Sequence, residues 1–143
     1  MVLTVIVVDQ NDEVCERLAQ ALDRLPGVRV LAHTTNLMLA AELAHQFTPD
    51  SILADFKRNG ADRPEALQWL RKMSPASSIV IHSSFYTEGE REAFTEAGAD
   101  LCLLKGMGVK ALAGQLAQAA RNGDRPRAPG SDVTDRKAVT PGA

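Results

Sequence analysis

One pattern recurs five times along this chain: a short apolar run that stops on a polar residue, then a stretch whose apolar positions recur at helical spacing. Val2 to Val8 is nearly continuous in apolarity, as a parallel strand buried on both faces requires, and it stops at Asp9. Behind the capping candidates Asn11 and Asp12, the residues Val14, Leu18, Ala21, Leu22 and Leu25 mark a first helix, which Pro26-Gly27 ends. Val28 to Ala32 reads as a second strand. Leu39, Leu43 and Phe47 then define a helix that begins near Asn36 and must end before Pro49. Ser51 to Ala54 is the third strand and carries Asp55 out at its end. A polar loop, Lys57 to Ala61, leads into Asp62-Arg63-Pro64-Glu65, a capping-box-like start for a helix packed through Leu67, Leu70 and Met73. Ser78 to His82 forms the fourth strand, and Thr87-Glu88-Gly89-Glu90 caps a helix ending at Gly98. Leu101 to Leu104 is the fifth strand; Val109, Leu112, Leu116 and Ala119 or Ala120 stripe a last helix that stops by Gly123.

Five β-α units joined by right-handed crossovers put helices on both faces of a parallel sheet. The expected fold is α/β, a flavodoxin-like (βα)5 three-layer sandwich with strand order 2-1-3-4-5. With 143 residues and 45% apolar content the chain is long enough for one domain and too short for two. From Arg125 to Ala143 the composition turns to prolines, glycines and interspersed charges, too poor in apolar surface to offset ordering entropy. Residues 1–122 are therefore expected to form the domain, and 123–143 a disordered tail or a linker toward an output domain.

Composition also narrows the partners. A net charge of -2 gives no electrostatic basis for direct nucleic-acid contact. The apolar start lacks a basic flank and falls far short of a membrane span, which predicts a cytoplasmic protein. Cys15 and Cys102 lie in apolar segments without metal or redox spacing and read as buried thiols of a reducing compartment. His33, His45 and His82 have no metal-ligand spacing and read as structural, and Trp69 as partly packed. The chain has no dinucleotide fingerprint, Walker loop, nucleophile elbow or Cys-x-x-Cys, so it is not expected to be a turnover enzyme.

In a parallel sheet of this kind, chemistry gathers beyond the carboxyl ends of the strands. Asp9, Asp55, Ser83 and Lys105 all end strands there, and the expected topology sets Asp9 beside Asp55. Taken singly, an acid at a strand end is a turn or capping residue, a lysine an exposed strand end, and a serine a turn residue. Together they offer a carboxylate nucleophile, Asp55, with a cation and a hydroxyl donor near it.

These residues resemble the receiver domain of two-component response regulators, similar in plan to the bacterial chemotaxis receiver. The resemblance rests on Val7-Val8-Asp9, Leu53-Ala54-Asp55, Ile81-His82-Ser83-Ser84 and Gly98-Ala99-Asp100-Leu101-Cys102-Leu103-Leu104-Lys105, in that order. It covers roughly residues 2 to 122. It implies that Asp55 accepts a phosphoryl group from the phosphohistidine of a sensor histidine kinase or phosphotransfer protein. It further implies Mg2+ held by Asp9, Asp55 and the backbone carbonyl of Lys57, with Ser83 binding a phosphoryl oxygen and Lys105 pairing with it. An output partner or second copy is then expected at the face of the fourth helix, fifth strand and fifth helix.

The chain departs from the family pattern in several places. Gln10 replaces a second acid and is a neutral amide that coordinates through oxygen without adding charge; Asp12 is the acid that either compensates or caps the first helix. Arg58-Asn59 and Arg63 give the loop after Asp55 a more basic rim. Gly106 stands where the family has proline, and Cys102 where it has an aromatic switch residue. Phe85 and Tyr86 are the aromatics left to substitute, or simply to pack. Three readings stay open at this point: a phosphoacceptor switch, a phosphorylation-independent pseudo-receiver, and a small-ligand binder.

Overall fold

The computed structural model describes residues 2–56 and 64–123. Its elements alternate as β1 (Leu3–Val8), α1 (Asp12–Asp23), β2 (Val28–Thr34), α2 (Leu37–Phe47), β3 (Ser51–Ala54), α3 (Pro64–Met73), β4 (Ser78–Ser83), α4 (Glu88–Ala97), β5 (Leu101–Leu104) and α5 (Val109–Asn122). All four strand pairings are parallel, and the sheet runs β2-β1-β3-β4-β5, the order expected of the flavodoxin-like plan.

Because successive side chains of a strand face opposite ways, the sheet divides its apolar residues by parity between two cores. Ile6, Val8, Ile52, Ala54, Ile79 and Ile81 face α2, α3 and α4, where Ala40, Ala41, Ala44, Leu67, Leu70 and Phe94 meet them. Val5, Val7, Leu53 and Val80 face α1 and α5 and pack on Cys15, Ala19, Leu22, Leu112 and Leu116. The three alanines of α2 let that helix lie close to the sheet. Phe56, just beyond β3, is 1% exposed and meets Phe94 edge-on, with ring centroids 5.8 Å apart. That contact anchors the chain immediately after Asp55.

Capping chemistry sets the helix ends. Asn11 caps α1 by accepting the amide of Val14 at 3.0 Å, so Asp12 is the first helical residue and not the cap. An acid there still faces the positive end of the helix dipole. Asn36 caps α2 in the same way, and Thr87 and Glu90 complete the expected capping box of α4. The Asp62-Arg63 half of the expected α3 start lies outside the described residues. α2 stops at Thr48, which takes a left-handed φ of 44° ahead of Pro49. β2 and β4 run to Thr34 and Ser83, past the expected Ala32 and His82, because each continues its pairing with a neighbour. Cys102 is only half-buried, not sequestered as the sequence suggests, since β5 is an edge strand.

At the end of the sheet away from Asp55, Arg71 of α3 ties three connections together. Its guanidinium donates to the carbonyl oxygens of Gly98 (2.9 Å) and Ser77 (2.7 Å) and to Asp100 Oδ2 (2.7 Å), which also accepts the amide of Ile79 at 2.8 Å. Gly98 has φ +124°, and a Cβ there would lie 3.0 Å from Arg71 Cβ. Replacing Arg71 with Ala leaves these carbonyls short of a donor, and Arg71→Ala is expected to lower unfolding free energy by about 2–4 kcal/mol in urea titration. A loss under about 0.5 kcal/mol, the scale of a neutral surface substitution, rules the clamp out.

Candidate functional site

Strand pairing builds the site. Val8 stands opposite Ala54, and the amide of Asp55 donates to the carbonyl of Val8 at 2.9 Å, so the next residue of each strand brings a carboxylate to the same spot. Asp9 is 1% exposed. Its Oδ1 accepts the amide of Asn11 at 2.9 Å, and its Oδ2 accepts Lys105 Nζ at 2.8 Å. The same ammonium lies 3.5 Å from Asp55 Oδ2. Lys105 comes from the end of β5, where its amide donates to the carbonyl of Ser83 at 2.8 Å. Gly106 follows at φ +117°, a conformation closed to the family's proline.

Burial alone pulls the Lys105 ammonium toward neutrality, but the Asp9 hydrogen bond and the charges of Asp55 and Asp9 outweigh it and hold its pKa above the ordinary lysine value. The cluster is thus two carboxylates and one firmly protonated lysine in a half-buried setting.

Ser83 is buried, and its hydroxyl is engaged with the following loop: it donates to the carbonyl of Phe85 at 2.9 Å and receives the amide of Phe85 at 3.4 Å. Of the sequence-predicted residues, Asp9, Asp55 and Lys105 meet in one cluster, and Ser83 is bonded to Lys105 through its backbone. Lys57, expected to lend its carbonyl, lies outside the described residues. Gln10 follows Asp9 and is half-buried, whereas Asp12 is exposed.

Among the described residues no group of three His, Cys, Asp or Glu forms a metal cage. Magnesium does not need one: it favours hard oxygen ligands, keeps several waters, and is commonly held by one or two carboxylates. Two carboxylates at neighbouring strand ends, already drawn together by a cation, are a fitting donor set for it.

His82, read from the sequence as structural, is a buried residue whose charge state feels the site. It is 6% exposed on the α1 and α5 side of β4. Burial, and then the positive charge of Lys105, lower its pKa to about 4, with Asp9 opposing weakly. A neutral imidazole therefore lies near Lys105. Cys15, also near Asp9, is a buried thiol whose Sγ faces the Thr34 carbonyl at 3.5 Å, and burial raises its pKa.

The model of the response regulator receiver domain matches residues 5–117, and this chain belongs to that family. The nitrate/nitrite response regulator protein NarL of Escherichia coli strain K12 is 31% identical over 117 residues, covering 82% of this chain and 54% of that protein. The response regulator protein VraR of Staphylococcus aureus strain NCTC 8325 is 26% identical over 121 residues, 85% of this chain and 58% of that one. The chain spans about half the length of the curated relatives it matches. A two-component response regulator of the LuxR family from Aurantimonas sp. SI85-9A1 superposes with TM-score 0.74 at 23% identity, covering 84% of this chain and 86% of that one. The response regulator domain of Thermotoga maritima CheB does so with TM-score 0.72 at 24% identity, covering 84% and 97%. At these identities the solved structures speak for the fold.

His82 has a measurable consequence. Its folded-state pKa of about 4 lies below the ordinary 6.5, so the unfolded chain takes up a proton that the folded state refuses. Stability from this group is complete above pH 6.5 and falls as pH drops from 6.5 toward about 4. Urea unfolding is expected to show a loss of about 2 kcal/mol from this source between pH ~7.5 and ~5.0. The His82→Val variant should lack that part of the slope; parallel slopes in the two proteins exclude His82 as the group responsible.

Proposed function

We propose that this receiver domain, taken as residues 1–122, accepts a phosphoryl group on Asp55 from the phosphohistidine of a sensor histidine kinase or phosphotransfer protein. The observation that carries the reading is the shared ammonium: Lys105 Nζ lies 2.8 Å from Asp9 and 3.5 Å from Asp55. In the transfer, an Asp55 carboxylate oxygen bonds to phosphorus as the phosphorus–nitrogen bond of the donor breaks. The histidine nitrogen keeps the electron pair and takes up a proton. Phosphoryl transfer asks little covalent chemistry of the protein and much positioning and charge neutralisation. Lys105 is placed to follow negative charge from the Asp55 carboxylate onto the phosphoryl oxygens, and the Ser83 hydroxyl has one proton to offer them. Mg2+ would be held by Asp9, Asp55 and the Lys57 carbonyl with Gln10 beside them, and would supply further neutralisation. The chain receives the group and does not turn over a substrate.

The output of such a change is a partner or second copy at the face of α4, β5 and α5, with no direct nucleic-acid contact by this chain. No helix among the described residues is long and apolar enough to cross a membrane, in keeping with work in the cytoplasm.

Intact mass after incubation with acetyl phosphate and Mg2+ tests the acceptor. One phosphoryl increment is expected on the wild type and none on Asp55→Asn. A wild type that gains no mass points instead to a phosphorylation-independent interaction module. Gln10 gives a separate expectation: Gln10→Asp adds a negative charge beside Asp9 and should tighten Mg2+ binding by about tenfold, or ~1.4 kcal/mol. Calorimetric titration in which wild type and variant bind alike dismisses Gln10 as the weak ligand.

A further inference from the structure

Of the three histidines, the one sunk deepest has no hydrogen-bond partner among the described residues. His45 places Nδ1 3.1 Å from the carbonyl oxygen of Met73, and His33 places Nδ1 3.9 Å from the Cys15 thiol; both are exposed. His82 is 6% exposed, and neither of its ring nitrogens meets a donor or acceptor. A buried polar group left unpaired is costly, and a leucine at this point of β4 would carry no such cost. The acceptor chemistry described above makes no use of the ring.

The sheet register shows what can pair with it. Ala54 stands opposite Ile81, so the residues that follow, Asp55 and His82, are opposed in the same register. Val8 stands opposite Ala54, which sets Asp9 in line with them. Val7, Leu53 and Val80 face the α1–α5 core, and alternation turns Asp9, Asp55 and His82 to that same side two residues on. The three form a row across β1, β3 and β4, whose strands lie about 4.8 Å apart. Lys105 already serves both carboxylates of the row, with Nζ 2.8 Å from Asp9 and 3.5 Å from Asp55. The imidazole is left over.

We infer that His82 is a further phosphoryl-binding residue of this pocket: its imidazole N–H, idle at rest, is given to an oxygen of the phosphoryl group on Asp55. This rests on the reading of Asp55 as the phosphoryl acceptor. A phosphoryl group brings three strong acceptor oxygens to the row and carries them beyond the carboxylate that Lys105 now holds. Burial and the charge of Lys105 keep the ring neutral, so it has one N–H to give. A neutral donor strengthens the hold on an anion without competing with Lys105 for the carboxylates. Ser83, one residue on in β4, turns to the opposite side of the strand, so the hydroxyl and the imidazole approach from different sides.

Beryllium trifluoride, an anion that adds to a carboxylate in the manner of a phosphoryl group, measures this contact without hydrolysis. Its affinity for the full chain, with Mg2+ present, is read from the 19F signal of the bound anion in wild type, His82→Leu and His82→Gln. Intact mass after acetyl phosphate is taken on the same preparations. His82→Leu is expected to bind the anion about tenfold more weakly, the scale of one hydrogen bond to a charged group, and His82→Gln, which keeps an N–H, to recover most of the loss. In wild type labelled with 15N in the imidazole rings, the His82 N–H proton, assigned by its absence from a variant, is expected to move downfield as the anion binds, while His33 and His45 stay in place. Equal affinity in wild type and His82→Leu overturns the inference and leaves the acceptor reading intact. So does a His82 resonance that stays put in wild type saturated with the anion, the behaviour of a ring held by a buried water in both states. A wild type that neither binds the anion nor gains phosphoryl mass defeats the acceptor reading, and the role of His82 falls with it. Should His82→Leu fail to fold, the ring resonance of wild type decides.

Discussion

A single ammonium group reconciles two carboxylates that the fold forces together. Parallel pairing of β1 with β3 brings Asp9 and Asp55 to adjacent strand ends, and like charges at such separation in a half-buried setting repel strongly. Lys105 answers from the far side of β4. Its long unbranched stem reaches past the end of that strand, and the site there is built to let it: Ser83 bonds the lysine backbone, and the neutral His82 imidazole adds no competing charge. The strand order, the length of the side chain and the depressed histidine are therefore parts of one electrostatic solution. Breaking such a cluster by deleting one partner is far more costly than its net contribution to stability, so what it contributes is geometry at the acceptor.

Much of this was legible in the sequence because it rests on periodicity and punctuation. β3 and β5 fall on the residues read from apolar runs, the capping box at Thr87 and Glu90 is present, and the sheet order is that of the flavodoxin-like plan suggested by the alternating units. Asp9, Asp55 and Lys105 were recoverable for the same reason: a residue ending a strand in this topology has only one place to go. Arg71 was not recoverable. Its partners are mostly backbone carbonyls of Gly98, Ser74, Pro75 and Ser77, and no side-chain pattern marks a carbonyl as needing a donor. Asn11 and Asp12 are both good caps by type, and only backbone geometry separates them. The partial exposure of Cys102 depends on which strand has no outer neighbour, a property of the assembled sheet.

Ser83 is where the sequence and the structure add to each other. The family resemblance implies that its hydroxyl binds a phosphoryl oxygen, and in the structure it donates to the Phe85 carbonyl. Both hold if the two acceptors compete for one proton, and competition of this kind makes a two-state element from a single side chain.

Charge counting around Asp55 bears on the replacement of an acid by Gln10. At rest the two carboxylates and Lys105 sum to a single negative charge. On the proposed reading, a phosphoryl group turns the Asp55 carboxylate into an acyl phosphate of about -2. With Asp9, Lys105 and a divalent cation the site then sums to about zero; a second acid at position 10 would leave it about one charge more negative. On that reading Gln10 would weaken the hold on a cation before transfer, yet leave the phosphorylated site close to neutral, which suits a half-buried pocket where an uncompensated charge is costly. Metal affinity and acceptor chemistry need not fall together on this reading: the amide would trade resting-state binding for a phosphorylated state that the existing lysine and one cation can balance.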